Sequence, residues 1–328
     1  MRWGILATGS IAGSFVRDLL LHGHEVAAVG SRTAESAARF ADRFGIARAH
    51  GSYEALAADP EVDAIYVATP HPMHAANAML ALRHGKHVLI EKPFTINAVE
   101  AAEVVGLAAE KELVVMEAMW TRFLPHMVRI REILASGQLG IIRSVLVDHT
   151  QDITEDPQHR LNALELGGGA LLDLGIYPVS FVWDVLGVPS SVQASAVFKP
   201  TGVDAQVAVL FRYDTGAVAV TLAGSDTAGR NIATVHGTAG RIEIDGVWYA
   251  PTSFRRYDEA GLLAESYQSE VTGRGMQYQA AEFERRVRDG VSPQTVLPPS
   301  ETLSIMQCLD AIRAQIGLRY PNEPVAVL

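Results

Sequence analysis

The 328-residue chain contains one cysteine and lacks both a long apolar run and a signal-peptide pattern. With Cys308 alone, no intramolecular disulfide can form, which fits a reducing compartment. A membrane-spanning helix needs about 18 or more consecutive apolar residues, and no such uncharged stretch is present. The N-terminus also lacks the small-residue cleavage site that follows the apolar part of a signal peptide. These absences predict a cytoplasmic protein without a membrane partner.

Positive charge is also in deficit. The chain has 27 Lys and Arg residues against 37 Asp and Glu residues, which gives a formal net charge of −10. Nucleic acids and anionic membranes bind basic surfaces, so we expect the chain to bind neither. Its hydrophobic share of 48% and charged share of 20% are typical of a compact globular protein. The length allows two domains of ordinary size.

Short apolar segments alternate with helical ones over the first 120 residues. Strands are expected at residues 3–7, 26–30, 63–68, 87–90 and 113–116, and helices at 11–21, 34–44, 73–83 and 97–110. This alternation is typical of parallel βαβ units. It predicts an α/β domain with a doubly wound parallel sheet, a dinucleotide-binding Rossmann domain, over residues 1–120.

The pattern changes after a helix expected at residues 125–135. Further strands are expected at 141–152, 190–198, 205–213, 216–223, 231–237 and 240–248, and helices at 170–186, 277–289 and 300–316. Several of these strands are joined by short turns such as YDTG and GTAG, which suit hairpins. We therefore predict a second, α+β domain over residues 121–328, with a large and mostly antiparallel sheet.

The segment ATGSIA, residues 7–12, joins the first strand to the first helix. Dinucleotide loops have small residues there, because the backbone must approach a pyrophosphate at the helix N-terminus. Alanine replaces the usual first glycine, and an ordinary strand–loop–helix connection also uses small residues. The position after the first strand of a βαβ run favours a cofactor loop. Five consecutive residues are predicted to contact the cofactor: Ala7, Thr8, Gly9, Ser10 and Ile11.

The end of the second strand lacks the acid that usually binds the ribose 2′-hydroxyl of NAD. It carries Ser31 and Arg32 instead, and an arginine at this place accommodates the 2′-phosphate of NADP. A surface arginine at a strand end is also common without any ligand. We predict NADP as the cofactor, with NAD possible, and both residues among those that bind it.

The segment GKHVLIEKPF, residues 85–94, ends a buried strand at Glu91, Lys92 and Pro93. Doubly wound sheets bind their ligands at the carboxyl ends of the strands. An ammonium group at this edge could hold a hydroxyl or carbonyl oxygen and shift the pKa of a neighbouring acid. The structural alternative is a glutamate–lysine pair that caps the strand, and spacing alone favours that alternative.

The segment GGGALLDLGIYP, residues 167–178, places Asp173 and Tyr177 four residues apart, on one face of a predicted helix. We expect the three glycines to form a tight loop that lets the helix N-terminus approach cofactor and substrate. An ordinary buried pair is the alternative interpretation. Upstream, the acidic segment at residues 148–160 is expected to cover the substrate, with His159, Arg160 and Asn162 as sugar contacts.

Together these segments resemble the Gfo/Idh/MocA oxidoreductases. The segments TPHPMH, EKPFTINA, MEAMWTRFLP and GGGALLDLGIYP are similar in particular to the branch of dimeric dihydrodiol dehydrogenases and NADP-dependent D-xylose dehydrogenases. The resemblance implies a Rossmann domain followed by an open-faced α+β domain that binds substrate and forms a homodimer through its sheet. The departure from the family pattern is Ala7 in the glycine loop.

The resemblance also implies roles for individual residues. Lys92 corresponds to the active-site lysine, and Asp173 and Tyr177 correspond to a pair whose tyrosine is the acid/base. Further cofactor contacts are implied near the nicotinamide and in the segment that closes over it: Thr69, Pro70, His74, Glu91, Lys92, Trp120 and Arg122. The predicted substrate-binding set is Lys92, Trp120, Arg160, Asp173 and Tyr177.

These parts predict an NADP-dependent dehydrogenase or reductase that acts on the CH–OH group of a sugar or trans-diol. A free phenol has a pKa of about 10, which a nearby ammonium group lowers, so Lys92 would make Tyr177 a better base. Asp173 would orient Lys92 or the substrate hydroxyl. No metal is expected, because His71 and His74 have no cysteine or acid close by in sequence.

Two other function classes stay open. One is a non-catalytic NAD(P)-sensing regulator on the same fold, against which the joint presence of Lys92, Asp173 and Tyr177 argues. The other is a cofactor-recycling hydrolase or lyase, which needs further acid/base groups that the sequence does not identify. The sequence does not specify the substrate, the direction of the reaction or the oligomeric state.

Overall fold

The computed structural model describes residues 1–290, 295–321 and 323. The chain divides into two compact units. The first unit consists of Met1–Phe123 and Val271–Met306, and the second of Leu124–Glu270 and Gln307–Leu328. The last helix, Pro299–Ile316, therefore contributes its first residues to one unit and its remaining residues to the other.

The first unit is built on a six-stranded parallel sheet. Its strands are β1 (Arg2–Leu6), β2 (Glu25–Gly30), β3 (Arg48–His50), β4 (Ala64–Val67), β5 (His87–Glu91) and β6 (Val115–Ala118). They lie in the order β3-β2-β1-β4-β5-β6, so the chain changes direction across the sheet between β1 and β4. This is the order of a dinucleotide-binding Rossmann sheet, whose ligand lies at that change of direction. The predicted doubly wound fold is confirmed.

Helices connect these strands, as the sequence predicts for βαβ units. They are α1 (Ser10–Leu21), α2 (Ala34–Phe44), α3 (Tyr53–Ala57), α4 (His74–Arg83) and α5 (Ala98–Glu110). Side chains cap several of their N-termini: Thr33 accepts from the N–H of Ser36, and Asn97 accepts from that of Glu100. Strand β3 and helix α3 are not in the sequence prediction, because three and five residues are too few to show a periodic pattern.

A buried carboxylate anchors the short strand β3. Asp59 accepts from the guanidinium of Arg48 and lies 2.8 Å from the imidazole of His50. Burial alone would raise the pKa of Asp59, but the N–H of Glu61, His50 and Arg48 together lower it to about 2. The network thus holds the end of β3 beside β2, next to Ser31, whose N–H donates to the His50 carbonyl.

The segment Val271–Met306 belongs to the first compact unit, whereas the sequence prediction has it in the second domain. Its helix α8 (Gln277–Asp289) follows a turn whose N–H groups at Arg274 and Met276 donate to the buried carboxylate of Asp18 in α1. The indole of Trp3 in β1 donates to Glu284. These contacts join residues more than 250 positions apart, which no local pattern reports.

The second unit carries an eight-stranded sheet. Its strands are β7 (Ile142–Thr150), β8 (Ser191–Phe198), β9 (Asp204–Arg212), β10 (Val218–Gly224), β11 (Ala233–Gly237), β12 (Gly240–Ile244), β13 (Phe254–Asp258) and β14 (Leu263–Tyr267). Their order is β14-β13-β12-β11-β7-β10-β9-β8, with β7 and β10 parallel and every other neighbouring pair antiparallel. The predicted mostly antiparallel sheet is confirmed, and its last two strands are additional to the prediction.

Helix α7, which spans Ile176–Leu186, covers the middle of one face of this sheet and packs against β7 and β10. Helix α6 spans Pro125–Ala135, and α9 spans Pro299–Ile316. Along β10 the small side chains of Ala219 and Ala223 are buried, whereas those of Val218, Val220 and Leu222 are about two-fifths exposed. The sheet therefore has one covered face and one open apolar face.

Among the described residues, one segment is apolar and long enough to cross a membrane by composition. It is Leu164–Leu186, and 83% of its most apolar window is buried within the protein. The segment contains α7, the central helix of the second unit, so its apolar character is that of a core helix.

Candidate active site

The loop between β1 and α1 leaves space in front of a helix N-terminus. Gly9 precedes α1 in an extended conformation, and a Cβ built on it would meet nothing within 4 Å. No side chain caps α1, and its first turn contains no acid. N–H groups at an uncapped N-terminus attract phosphate oxygens. The loop thus fits the pyrophosphate of a dinucleotide.

Ala7 makes the turn that a glycine makes in most such loops. Its φ is +88°, in the left-handed region that costs an alanine about 1–2 kcal/mol. Its N–H donates to the carbonyl of Gly30 at 3.0 Å, which ties the loop to the end of β2. The hydroxyls of Thr8 and Ser36 lie 3.0 Å apart and join the loop to α2. Ala7 therefore adopts a strained backbone conformation in this loop.

The residues after β2 present a cation and no free acid. Ser31 is buried at the strand end, and Arg32 beside it is exposed. Glu35, the nearest acid in sequence, forms an ion pair with Arg39. Tyr53, at the start of α3, is close enough to Arg32 for the guanidinium to oppose the increase in tyrosine pKa that burial causes. This is an environment for an anionic group.

Strand β5 brings Lys92 to the carboxyl edge of the sheet. The peptide bond between Lys92 and Pro93 is cis. Glu91 is buried, accepts from the hydroxyl of Tyr66, and also accepts from the backbone N–H of Lys92 at 3.2 Å. Glu91 thus holds the backbone of Lys92 at the end of β5.

His74 connects two of the turns at this edge. It is fully buried, and its ring nitrogens lie 2.8 Å from the carbonyl oxygens of Thr69 and Pro93. Burial and the nearby charges of His71 and Lys92 lower the pKa of His74 to about 4. The two carbonyl contacts oppose that decrease in pKa. His74 thus contacts the backbone next to Pro70 and Lys92 and is itself buried.

Trp120 and Arg122 lie in a short 3₁₀ turn, Trp120–Phe123, and both are buried. Arg122 forms an ion pair with Glu301, and the guanidinium of Arg274 lies 5.4 Å from the centre of the Trp120 ring. Beside them, burial raises the pKa of Glu117 to about 7, opposed by the N–H of Phe94 and the charge of Arg122. These side chains form a polar layer inside the first unit.

In the second unit, Asp173 and Tyr177 begin the central helix. Leu171–Gly175 forms a π-turn, which continues into α7 at Ile176. π-turns within helices are rare and are often found at functional sites. The N–H of Leu171 donates to the buried carboxylate of Asp204 at 2.6 Å. A carboxylate therefore occupies the helix N-terminus that the sequence analysis assigned to a ligand.

The two predicted catalytic groups of this helix are nearly buried. Asp173 is 5% exposed and Tyr177 is 7% exposed. The guanidinium of Arg160 donates to the Asp173 carboxylate at 3.2 Å, so two of the predicted substrate-binding residues are in contact. Asn162, in contrast, is buried, and its amide donates to the carbonyls of Thr154 and Asp156. Its contacts are those of a loop anchor.

Two aromatic rings pack around Tyr177. The imidazole of His149 lies 5.0 Å from the Tyr177 ring centre in an edge-on arrangement and stacks on Tyr249 at 3.8 Å. Gln151 donates from its amide to the Tyr249 hydroxyl at 3.2 Å and lies 2.9 Å from His149 Nε2. No catalytic or binding role is predicted for His149 from the sequence. Its only sequence signal is its place near the end of β7, at the start of the segment 148–160 that is predicted to cover the substrate.

Two buried tryptophans of the second unit pack against other side chains of its core. Trp248 is fully buried against Phe181, and its indole donates to the carbonyl of Asp148. Trp183 is buried against Phe211. Within the residues that the structure describes, no three His, Cys, Asp or Glu side chains form a group that could hold a metal ion. The arrangement offers a dinucleotide loop in one unit and a phenol–carboxylate pair in the other.

Comparison with known families agrees with this arrangement. Residues 1–119 match the family described as "Oxidoreductase family, NAD-binding Rossmann fold", and residues 127–243 match the "GFO/IDH/MocA C-terminal domain". The chain belongs to the Gfo/Idh/MocA family. It is an oxidoreductase with an NAD(P)-binding Rossmann domain.

Named relatives of this Gfo/Idh/MocA protein match over almost its whole length. It is 36% identical to trans-1,2-dihydrobenzene-1,2-diol dehydrogenase of Mus musculus, over 98% of this chain and 99% of the relative. It is 33% identical to D-xylose 1-dehydrogenase (NADP(+)) of Hypocrea jecorina, over 98% of this chain and 93% of the relative. The resemblance that the sequence motifs indicated is confirmed.

Solved structures share the fold. KijD10, a 3-ketoreductase from Actinomadura kijaniata solved with NADP and TDP-benzene, is 27% identical with a TM-score of 0.84, over 96% of this chain and 98% of that chain. An aldose-aldose oxidoreductase from Caulobacter crescentus, solved with glycerol, is 24% identical with a TM-score of 0.87, over 96% and 97% of the two chains. The second likeness concerns the fold alone.

Proposed function

We propose that this protein is an NADP-dependent dehydrogenase or reductase that transfers a hydride between nicotinamide and a secondary alcohol or carbonyl of a sugar or trans-diol. The observation that carries the proposal is the nearly buried phenol and carboxylate, Tyr177 and Asp173, at the start of one helix. Both residues belong to the second unit, and the dinucleotide loop belongs to the first. The names of the relatives, a diol dehydrogenase and a xylose dehydrogenase, support the substrate class.

NADP is the proposed cofactor, and NAD is the alternative. The uncapped N-terminus of α1 suits the pyrophosphate, and Arg32 suits the 2′-phosphate because the nearest acid, Glu35, is paired with Arg39. We further propose that the turn at Thr69 and Pro70 lies at the nicotinamide. The relatives named with NADP support the choice of cofactor. Buried His74, Glu91 and Arg122 would then support the cofactor site through the backbone and side chains that they hold.

The bound nicotinamide supplies the hydride chemistry, and the protein must position the alcohol and move one proton. In the proposed mechanism, the Tyr177 phenolate takes the hydroxyl proton in oxidation, and the phenol returns it in reduction. The ammonium of Lys92 favours the phenolate. Asp173, held by Arg160, orients the substrate hydroxyl. Trp120 and Arg160 complete the proposed substrate contacts.

A substrate survey tests the proposal. NADPH absorbance is followed with a panel of aldoses, inositols and trans-diols, each with NADP and with NAD. The proposal expects turnover of at least one sugar or diol, with higher kcat/KM for NADP than for NAD. Tight NADPH binding without turnover of any compound would instead favour the regulator that senses NAD(P).

We also propose a homodimer through the open face of the second sheet. Val218, Val220 and Leu222 expose an apolar row there, and exposed apolar patches commonly mark association surfaces. Val220→Asp should shift the mass measured by light scattering from dimer to monomer. Val99→Asp changes an exposed valine of α5 and should leave the dimer intact. A wild-type monomer, or a Val220→Asp dimer, would contradict this proposal.

A further inference from the structure

The loop that precedes the π-turn has no side chain of its own to hold it. Residues 167–169 are all glycine, and φ is +70° at Gly167 and +118° at Gly169. A Cβ on Gly168 would lie 2.7–2.8 Å from three backbone carbonyl oxygens, those of Arg160, Leu161 and Ala163. Glycine is therefore required for the close approach, and the conformation of the loop depends on groups outside it.

Asp204 is the first of these outside groups. It begins β9, is fully buried, and accepts from the N–H of Leu171 at 2.6 Å. Its second carboxylate oxygen lies 2.0 Å from the place where a Cβ of Gly169 would be. Burial raises the pKa of Asp204 to about 6, and the N–H groups at the helix start oppose that increase. The carboxylate thus fixes the first turn, two residues before Asp173.

Tyr320 is the second group, and it follows α9. Its buried hydroxyl donates to the carbonyl of Gly168 at 2.8 Å. Glu323 accepts from the backbone N–H of Tyr320 at 3.0 Å and pairs with Arg313, whose guanidinium lies 5.1 Å from the tyrosine ring centre. Burial raises the pKa of Tyr320 well above its ordinary value, so the hydroxyl keeps the proton it donates.

We propose that Asp204 and Tyr320 are positioning residues for the reaction: by fixing the glycine loop from two sides they set the π-turn that presents Asp173 and Tyr177. The inference rests on the proposed function, since it assigns a purpose to the way those two groups are held. A displacement of a reacting group by about 1 Å can lower the reaction rate about 100-fold. Loss of either contact should therefore affect kcat more than cofactor binding.

Tyr320→Phe tests the hydroxyl alone, with Tyr213→Phe as its matched control. Tyr213 is a buried tyrosine of the same unit, and its hydroxyl has no hydrogen-bond partner among the described residues. We expect kcat of Tyr320→Phe to fall by about tenfold, with the Kd for NADPH changed less than about twofold. Tyr213→Phe should keep the wild-type kcat. All values are taken well below each variant's Tm.

Asp204 is tested by a pair of variants. Asp204→Ala removes the acceptor of the Leu171 N–H, whereas Asp204→Asn keeps an amide oxygen for it. We expect Asp204→Ala to lose at least about tenfold in kcat and Asp204→Asn to recover most of that loss. If Asp204→Ala and Tyr320→Phe both fold and keep the wild-type kcat, the inference is overturned.

Amide hydrogen exchange separates failure of this inference from failure of the proposed function. The amides of residues 171–177 should exchange faster in Tyr320→Phe than in Tyr213→Phe. Absence of wild-type turnover with every substrate would reject the proposed function, while the exchange measurement would still test the restraint of the loop. Equal exchange in the two variants would overturn the restraint even if the enzyme is active.

Discussion

Arg32→Gln is expected to remove most of the preference for NADP over NAD. The guanidinium of Arg32 is exposed at the end of β2. Glu35, the nearest acid in sequence, forms an ion pair with Arg39 and so does not compete with a phosphate for Arg32. Hydrogen bonds to charged groups contribute about 1.5–3 kcal/mol. The exposure of Arg32 favours the lower end of that range. A loss of about 1.4 kcal/mol corresponds to about a tenfold rise in the Kd for NADPH.

Titration of tryptophan fluorescence with NADPH and with NADH measures the effect. The Kd for NADH should change by less than about twofold, since NADH has no 2′-phosphate. Arg43→Gln is the matched control, because Arg43 is an exposed arginine at the other end of α2, about 14 Å farther along the helix axis. It should leave both dissociation constants unchanged at physiological salt.

The ratio of the two dissociation constants decides the outcome. An unchanged ratio in Arg32→Gln would refute the assignment of Arg32 to the 2′-phosphate. An equal weakening of NADPH and NADH would show that the substitution disturbs the loop as a whole. The effect on NADPH should also shrink as ionic strength rises, because the pair is exposed to solvent.

Three further outcomes are expected. Ala7→Gly should raise the free energy of unfolding in urea by about 0.5–1 kcal/mol, because glycine tolerates the positive φ at this position. The control Ala12→Gly, inside α1, should lower it by at least about 1 kcal/mol. A less stable Ala7→Gly protein would contradict the claim that Ala7 is strained. The Asp59 pKa, lowered to about 2, gives stability that is present above the unfolded value of 3.8 and is lost as pH falls toward 2. Asp59→Asn should therefore cost about 2 kcal/mol at pH 7 and about half that near pH 3, and a gap that does not narrow would refute the linkage. Lys92→Met should lose activity while it still binds NADPH, and unchanged kcat would remove Lys92 from the mechanism.

Elements with strong local signals could be predicted from the sequence. The predicted helices at 34–44, 125–135 and 277–289 coincide with α2, α6 and α8. A threonine cap begins the first of them, and a proline occupies the first turn of the second. Short polar elements such as β3 and α3 lack such signals. The place of helix α8 in the first unit depends on contacts such as Asp18 with Met276, which are distant in sequence.

The candidate site likewise contains some features that the sequence predicts and others that it does not. Gly9, Arg32 and Lys92 follow strands of a parallel sheet, so strand order alone predicts that they lie at its carboxyl edge. The π-turn at Leu171–Gly175 could not be predicted, because its start is fixed by Asp204, which is 33 residues away. The contact between His149 and Tyr177 likewise joins the end of a strand to a helix 28 residues later, so no local pattern indicates it.

The central claim is that Tyr177 is the acid/base of a hydride transfer. Its most direct test is kcat of Tyr177→Phe with the best substrate of the survey, alongside the Kd for NADPH and the Tyr213→Phe control. General acid–base catalysis contributes about 10²–10⁴-fold, so kcat should fall at least about 100-fold while NADPH binding is kept. Retention of more than about a tenth of the wild-type kcat would contradict the claim.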